Sequence, residues 1–176
     1  MKILLVYASE SGTCRECAHI LERELYKHDV MTYDITKAVD LPLSPSEFDA
    51  CVIGGPIRYG KLHSDVRKYI KRYKNELQSI KSAYFIVCGY TDKYDKYLKK
   101  SIPEELQSSA VCCELFGGRL KPENAHGFDK IFVKAARNSI LSVDDNEKVY
   151  EGEFERVLPE IVPENVKRLA KALEEA

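Results

Sequence analysis

Three hydroxyl side chains, Ser9, Ser11 and Thr13, flank one glycine, Gly12, in the stretch ASESGTCREC that begins at Ala8. Ahead of it lies a short apolar run, residues 3–8, rich in β-formers. Behind it Cys17, Ile20, Leu21 and Leu25 recur at helical spacing. A strand, a hydroxyl-rich loop and a helix start, in that order, make an anion site. The first amides of a helix have no intrahelical acceptor, and the macrodipole there favours negative charge. Gly12 allows close backbone approach, and the hydroxyls add donors. The loop lacks the lysine that would hold a nucleoside triphosphate and the Gly-x-Gly-x-x-Gly of a dinucleotide site. It suits a single terminal phosphate. The same serines and threonine also fit plain helix capping, and the residues alone leave both readings open.

Cys14 and Cys17 offer a second chemistry at the same place. A C-x-x-C at a helix start lowers a thiol's pKa and is the pattern of a dithiol redox site. The other cysteines stand at 51, 88, 112 and 113, a distribution unlike a secreted disulfide framework and consistent with free thiols in a reducing compartment. One C-x-x-C with an adjacent Cys112-Cys113 pair is poor zinc geometry, so no metal is expected.

Two further loops carry groups able to meet a flat ligand. In Gly54-Gly55-Pro56-Ile57-Arg58-Tyr59-Gly60 an apolar and an aromatic residue stand where a solvent-facing loop is normally polar. They either plug the end of a sheet or receive a ring system. Cys88-Gly89-Tyr90-Thr91-Asp92 offers a second aromatic with small neighbours, and Thr91 or Asp92 also fits as a helix N-cap. His63, ahead of a helix start, suits contact with an anion or a surface role.

These loops are positioned by alternating elements. Residues 30–35, 48–54, 82–89 and 110–120 read as further strands. Helical patterns follow from Ser64, from about Asp92 (broken at Pro103), over 128–138 and after Pro163. Strands alternating with helices predict a doubly wound parallel α/β sheet covered on both faces, with ligands outside the carboxyl ends of the strands. The 176 residues suit one domain, 1–176, with an insertion-like segment at about 121–160. A net charge of −1 argues against nucleic acid held by a strong positive field. No stretch reaches the roughly 20 apolar residues of a membrane span, so a cytoplasmic protein is expected and any membrane contact is peripheral.

The sequence resembles the flavodoxin family, whose phosphate loop Thr/Ser-x-Thr-Gly-x-Thr is matched by Ser9-Glu10-Ser11-Gly12-Thr13-Cys14 with a departure at Cys14. The segment Ile57-Arg58-Tyr59-Gly60 with His63 downstream is similar to the menaquinone-dependent protoporphyrinogen oxidase branch. The motifs cover roughly residues 2–95, and beyond them only the order of elements continues. The resemblance implies a five-stranded sheet in the order 2-1-3-4-5, with FMN held non-covalently at the switch point. Ser9, Glu10, Ser11, Gly12, Thr13 and Cys14 would hold its phosphate. Pro56, Ile57, Arg58, Tyr59 and Gly60 would meet one side of the isoalloxazine, and Cys88, Gly89, Tyr90, Thr91 and Asp92 the other side and edge. Pro56 ahead of Gly60 would stiffen that loop and favour two-electron chemistry. The implied function is electron transfer through FMN with a partner protein or a small-molecule or quinone substrate. The alternatives are an FMN enzyme of the protoporphyrinogen oxidase type with a quinone acceptor, and the C-x-x-C dithiol.

Overall fold

Residues 3–8 alternate strictly in the faces they supply. Ile3, Leu5 and Tyr7 enter one buried cluster; Leu4, Val6 and Ala8 enter another. That is the two-fold periodicity of a strand covered on both sides. The structure is a computed structural model and describes residues 1–37, 43–89, 93–119 and 160–176. Its strands are β1 (Lys2–Tyr7), β2 (Asp29–Asp34), β3 (Ala50–Arg58), β4 (Lys61–Leu62), β5 (Lys81–Val87) and β6 (Cys112–Leu115). The main sheet runs β2-β1-β3-β5-β6, all neighbours parallel, with β4 pairing antiparallel to the end of β3. This is the expected order 2-1-3-4-5, with a short sixth strand added as a hairpin arm.

The helices are α1 (Thr13–Glu24), α2 (Ser64–Arg72), α3 (Lys74–Ser79), α4 (Tyr94–Ser101), α5 (Glu104–Ser109) and α6 (Pro163–Glu175). α1 and α6 cover one face, where Cys17, Leu21, Val166 and Leu169 are fully buried against β1, β3 and β5. α2, α3 and α5 cover the other through Val66, Tyr69, Ile70, Leu77 and Leu106. Gly54 makes the closest approach in the central sheet: a Cβ there would lie 2.4 Å from the Phe85 carbonyl oxygen on β5.

Several boundaries depart from the sequence reading, among them that of β6, which spans Cys112–Leu115 where residues 110–120 are expected. The third strand does not stop at Gly54 but runs to Arg58, because Pro56, which reads as a breaker, stays in register with Val87 on β5. Its carbonyl then accepts the His63 N–H at 3.0 Å. The N-cap of α2 is His63, whose side chain accepts the Asp65 N–H; Ser64 is the first helical residue. Tyr73, at φ −108°, ends α2, and the chain restarts as α3, so the expected single helix is two. The helical pattern over 128–138 and nearly all of the insertion-like segment lie outside the described residues.

Candidate functional site

β1 and β3 are adjacent central strands, and the chain leaves their carboxyl ends in opposite directions, to α1 on one face and α2 on the other. The crevice between such strands is where an open α/β sheet receives a ligand. Gly12 is the N-cap of α1, at φ +90°, with no side-chain cap and nothing within 4 Å of where a Cβ would stand. The Arg15 N–H is satisfied by the Ser9 hydroxyl oxygen at 3.1 Å, and the Glu16 N–H by the Gly12 carbonyl. The N–H groups of Thr13 and Cys14 find no acceptor among the described residues. Open space, a left-handed glycine and orphan helix amides form a cradle that a phosphate fits.

The side chains of this loop divide the work. Ser9 and Thr13 are buried, Ser11 is half-buried, and Glu10 is exposed. The Cys14 thiol is buried with the α1 core cluster, which leaves that position only its backbone amide to offer an anion. The helix start lowers a thiol's pKa, but here burial dominates. It pushes Cys14 well above its ordinary value and Cys17 up to about 12, with neighbouring negative charge adding to both. All six cysteines are free thiols. The pair is built into the core and is a poor nucleophile.

Glu10 turns away from the cradle and ties it to the second loop. Its carboxylate pairs with Arg58 and accepts from His63 Nε2 at 3.1 Å. His63 Nδ1 accepts the Asp65 N–H at 3.4 Å, and in that tautomer it is Nε2 that donates to Glu10. Sequence reading singled out Glu10, Arg58 and His63 separately; that they form one cluster is a tertiary fact. Tyr59 and Gly60 are the two loop residues of the β3–β4 hairpin, at φ +50° and +74°. Two consecutive positive φ angles in a two-residue loop make a type I′ turn. Turning over its central peptide would give a II′ turn, whose first central position calls for glycine, and Tyr59 stands there. The turn is therefore stiff, and it holds the Tyr59 ring outward, 75% exposed.

On the far side of the cradle, the Cys88 N–H donates to the Gly117 carbonyl at 2.7 Å, and Gly118 packs on the backbone of Cys88 and Gly89. Arg119 pairs with both Glu16 on α1 and Glu160 ahead of α6. Tyr90, Thr91 and Asp92 lie outside the described residues. Of the predicted set, the loops of residues 9–14, 56–60 and 88–89 all stand at the carboxyl edge of the sheet.

A family model described as Flavodoxin domain matches residues 4–144. The chain belongs to the flavodoxin domain family. Among curated relatives of this flavodoxin-domain chain, protoporphyrinogen IX dehydrogenase (quinone) of Escherichia coli strain K12 is 27% identical over 142 residues, 76% of this chain and 77% of that protein. The protein of the same name from Leishmania major is 23% identical over 141 residues, 76% of this chain and 61% of that one. Among solved structures, two-electron reduced Megasphaera elsdenii flavodoxin superposes with a TM-score of 0.50 at 16% identity, covering 77% of this chain and 98% of that one. That likeness shows the fold. Among the described residues, no helix of this flavodoxin-domain protein is long and apolar enough to cross a membrane.

Proposed function

We propose that this chain holds FMN non-covalently at the carboxyl edge of β1, β3 and β5 and transfers electrons through it. The observation that carries this reading is the cradle at the start of α1: a left-handed Gly12 with open space beside it and unsatisfied amides at Thr13 and Cys14. Ser9, Glu10, Ser11, Gly12, Thr13 and Cys14 would form the phosphate loop, with backbone amides and hydroxyls as donors and Glu10 as the tie to Arg58 and His63. Pro56, Ile57, Arg58, Tyr59 and Gly60 would flank one side of the ring system, and Cys88, Gly89, Tyr90, Thr91 and Asp92 the other. Bound FMN supplies reversible uptake of one or two electrons. The protein's part is to orient it: the stiff Tyr59-Gly60 turn presents an aromatic surface, and the bracing of Cys88 by Gly117 fixes the opposite wall. Residues 1–176 act as one domain in this reading. Six free thiols fit a reducing, cytoplasmic compartment, with any membrane contact peripheral.

The test is the visible spectrum of the protein after incubation with FMN and desalting. A retained flavin spectrum is expected, lost in Gly12→Asp while the far-ultraviolet circular dichroism stays unchanged. A colourless wild-type protein overturns the reading.

A second reading has a specific support. The relatives named protoporphyrinogen IX dehydrogenase (quinone) align over three quarters of the chain, and the Ile57-Arg58-Tyr59-Gly60 segment with His63 forms a single hairpin-and-cap unit. In this reading the protein is an enzyme that oxidises a tetrapyrrole and passes the electrons to a quinone, where the first reading has a partner protein as acceptor. Quinone-dependent consumption of protoporphyrinogen by the FMN-loaded protein decides between them.

A further inference from the structure

The charge of this chain is unevenly divided. Residues 58–100 hold twelve Lys and Arg against four Asp and Glu, a formal +8, whereas the remaining residues hold fifteen against twenty-four, a formal −9. A surface that only has to stay soluble carries the two signs mixed. The tertiary structure gathers the basic part. Leu62 of β4 donates its N–H to Ser101 Oγ at the end of α4 at 2.9 Å, and its carbonyl accepts Arg67 Nε of α2 at 2.9 Å. α2 and α4 therefore flank the hairpin. Val66, Tyr69 and Ile70 of α2 and Leu98 of α4 pack on the same core cluster, so the outward sides of both helices face solvent on one side of the sheet.

There α2 exposes Lys68, Lys71 and Arg72. α4, from its N-cap on, exposes Lys93, Lys96, Lys99 and Lys100. The acids of the two helices are Asp65 and Asp95. Lys68 pairs with Asp65 at 2.9 Å, whereas Lys71, Lys96, Lys99 and Lys100 make no ion pair among the described residues. The last-turn cations suit the carboxyl ends of their helices. The others do not. Lys93 is the N-cap of α4 and Lys96 lies in its first turn, where the macrodipole disfavours positive charge. Lys96 also stands at i, i+3 and i, i+4 from Lys99 and Lys100, and Lys68 likewise from Lys71 and Arg72, spacings at which like charges repel. Local stability is given up to concentrate one sign, the mark of a surface that serves a partner.

We infer that the α2–α4 face docks an acidic electron-transfer protein and steers it toward the flavin edge. The inference deepens the reading of a protein partner given above and rests on it. Uncompensated cations on a face of this size call for a carboxylate-rich counterpart, and complementary charge raises the rate of encounter. The exposed large apolar side chains among the described residues are Tyr26, Met31 and Tyr59, none of them on α2 or α4. A helix face seated in a membrane surface carries apolar residues beside its cations. A transient redox complex is small and held by charge, which suits a face without them. A bilayer is also an unbroken anionic plane that the remaining −9 of this chain opposes, whereas a partner of limited size meets the basic face alone. α4 follows directly on the loop of residues 88–92, and a Cβ at Gly60 on the hairpin tip would stand 3.9 Å from the Tyr97 ring of α4. A protein docked here lies beside the proposed place of the ring system.

The experiment is anaerobic stopped-flow reduction of the FMN-loaded protein by a photoreduced plant-type ferredoxin, an acidic one-electron donor. Each reduced ferredoxin gives up one electron, so two of them, with two protons from water, reduce one FMN. The measurement is repeated on Lys68→Gln/Lys71→Gln/Arg72→Gln, on Lys96→Gln/Lys99→Gln/Lys100→Gln and on the six-site combination. The expected second-order rate falls as salt rises, is at least about tenfold lower in the six-site variant at low salt, and becomes equal in the two proteins near about 0.5 M salt. FMN retention and photoreduction by deazaflavin, a small reductant, should be the same in all four proteins. The inference is overturned if ferredoxin does not react, if its rate ignores salt, or if the six-site variant reacts as fast as wild type at low salt. It is also overturned if deazaflavin reduction slows in step, which would make the face a support of the flavin site. Two further controls can overturn it. Loss of binding to vesicles of phosphatidylcholine with about 30% phosphatidylserine, with the ferredoxin rate unchanged, would give the face to a membrane. Low-salt dimers in wild type but not in the six-site variant, seen by sedimentation, would give it to a second copy of this chain. If the wild type retains no FMN, the flavin reading fails by itself, and calorimetric binding of ferredoxin to the FMN-free protein, lost in the six-site variant, still decides the docking face.

Discussion

Alkylation of the six thiols separates a flavin protein from a dithiol one. Cys14 and Cys17 sit at the start of α1, where orphan amides stabilise a thiolate, yet both side chains are enclosed by the α1–α6 core. Burial wins, and Cys17 rises from an ordinary value of 9.0 to about 12. At pH 8 a thiol at its ordinary value is roughly one-tenth thiolate, whereas one at about 12 is roughly one ten-thousandth, a rate penalty of about 1,000-fold before access is counted. Cys88, half-buried on the loop that leads from β5, carries neither the enclosure nor a place in the core. Iodoacetamide labelling at pH 8, read by peptide mass mapping, should modify Cys88 first and leave Cys14 and Cys17 unmodified until the protein is unfolded in urea. Bound FMN should slow Cys88. The Cys14→Ala/Cys17→Ala double variant removes two buried sulfur atoms at a cost of about 1 kcal/mol each. At about 2–4 °C per kcal/mol for a chain of this size, the Tm falls by about 4–8 °C. FMN binding and electron transfer should survive. Rapid labelling of native Cys14 or Cys17, or loss of electron transfer in the double variant, would refute the reasoning.

Gly54→Ala should cost about 3 kcal/mol, because its Cβ would stand 2.3 Å from the Phe85 ring and 2.4 Å from its carbonyl oxygen, in a part of the sheet where Phe85 stacks on Phe116 at 4.6 Å; thermal unfolding that shifts by less than about 2 °C would contradict this. Glu10→Gln should change stability by less than about 1 kcal/mol, since Glu10 is largely exposed, while weakening FMN several-fold by releasing the cradle from Arg58 and His63; flavin titration and urea unfolding of one preparation check both halves. Burial holds the Glu114 carboxyl on β6 above the usual carboxylate range, with Arg168 at 3.4 Å offsetting part of the rise. A raised folded pKa gives a contribution that is complete below the unfolded value and is lost as pH climbs through the folded one. Glu114→Gln should therefore gain stability relative to wild type between pH 4 and pH 7, and a Tm difference that stays flat over that range would contradict it.

The sequence by itself determined the parts that depend on local order. Residues 3–8, the hydroxyl loop and the face of Cys17, Leu21 and Leu25 specify a strand, a turn and a helix from periodicity and capping alone. The recurrence of that unit specifies the parallel sheet, because parallel strands need helical crossovers. Gly12 was legible for the same reason: a glycine just ahead of a helix start in a hydroxyl-rich loop has few other uses. Tertiary structure decided what depends on neighbours far away in the chain. Pro56 reads as a breaker, but pairing with Val87 on β5 keeps it in the strand. Tyr59-Gly60 reads as loop until Arg58 and Lys61 pair across it and force two positive φ angles. The C-x-x-C reads as reactive because spacing shows the helix start; it is inert because α6, about 150 residues later, helps close the core over it. Glu10, Arg58 and His63 carry no joint signal, since their spacing of up to 53 positions has no periodicity. A sheet order that sets the β1 loop against the β3–β4 hairpin makes them one cluster, and that order is fixed by packing energy summed over the whole core.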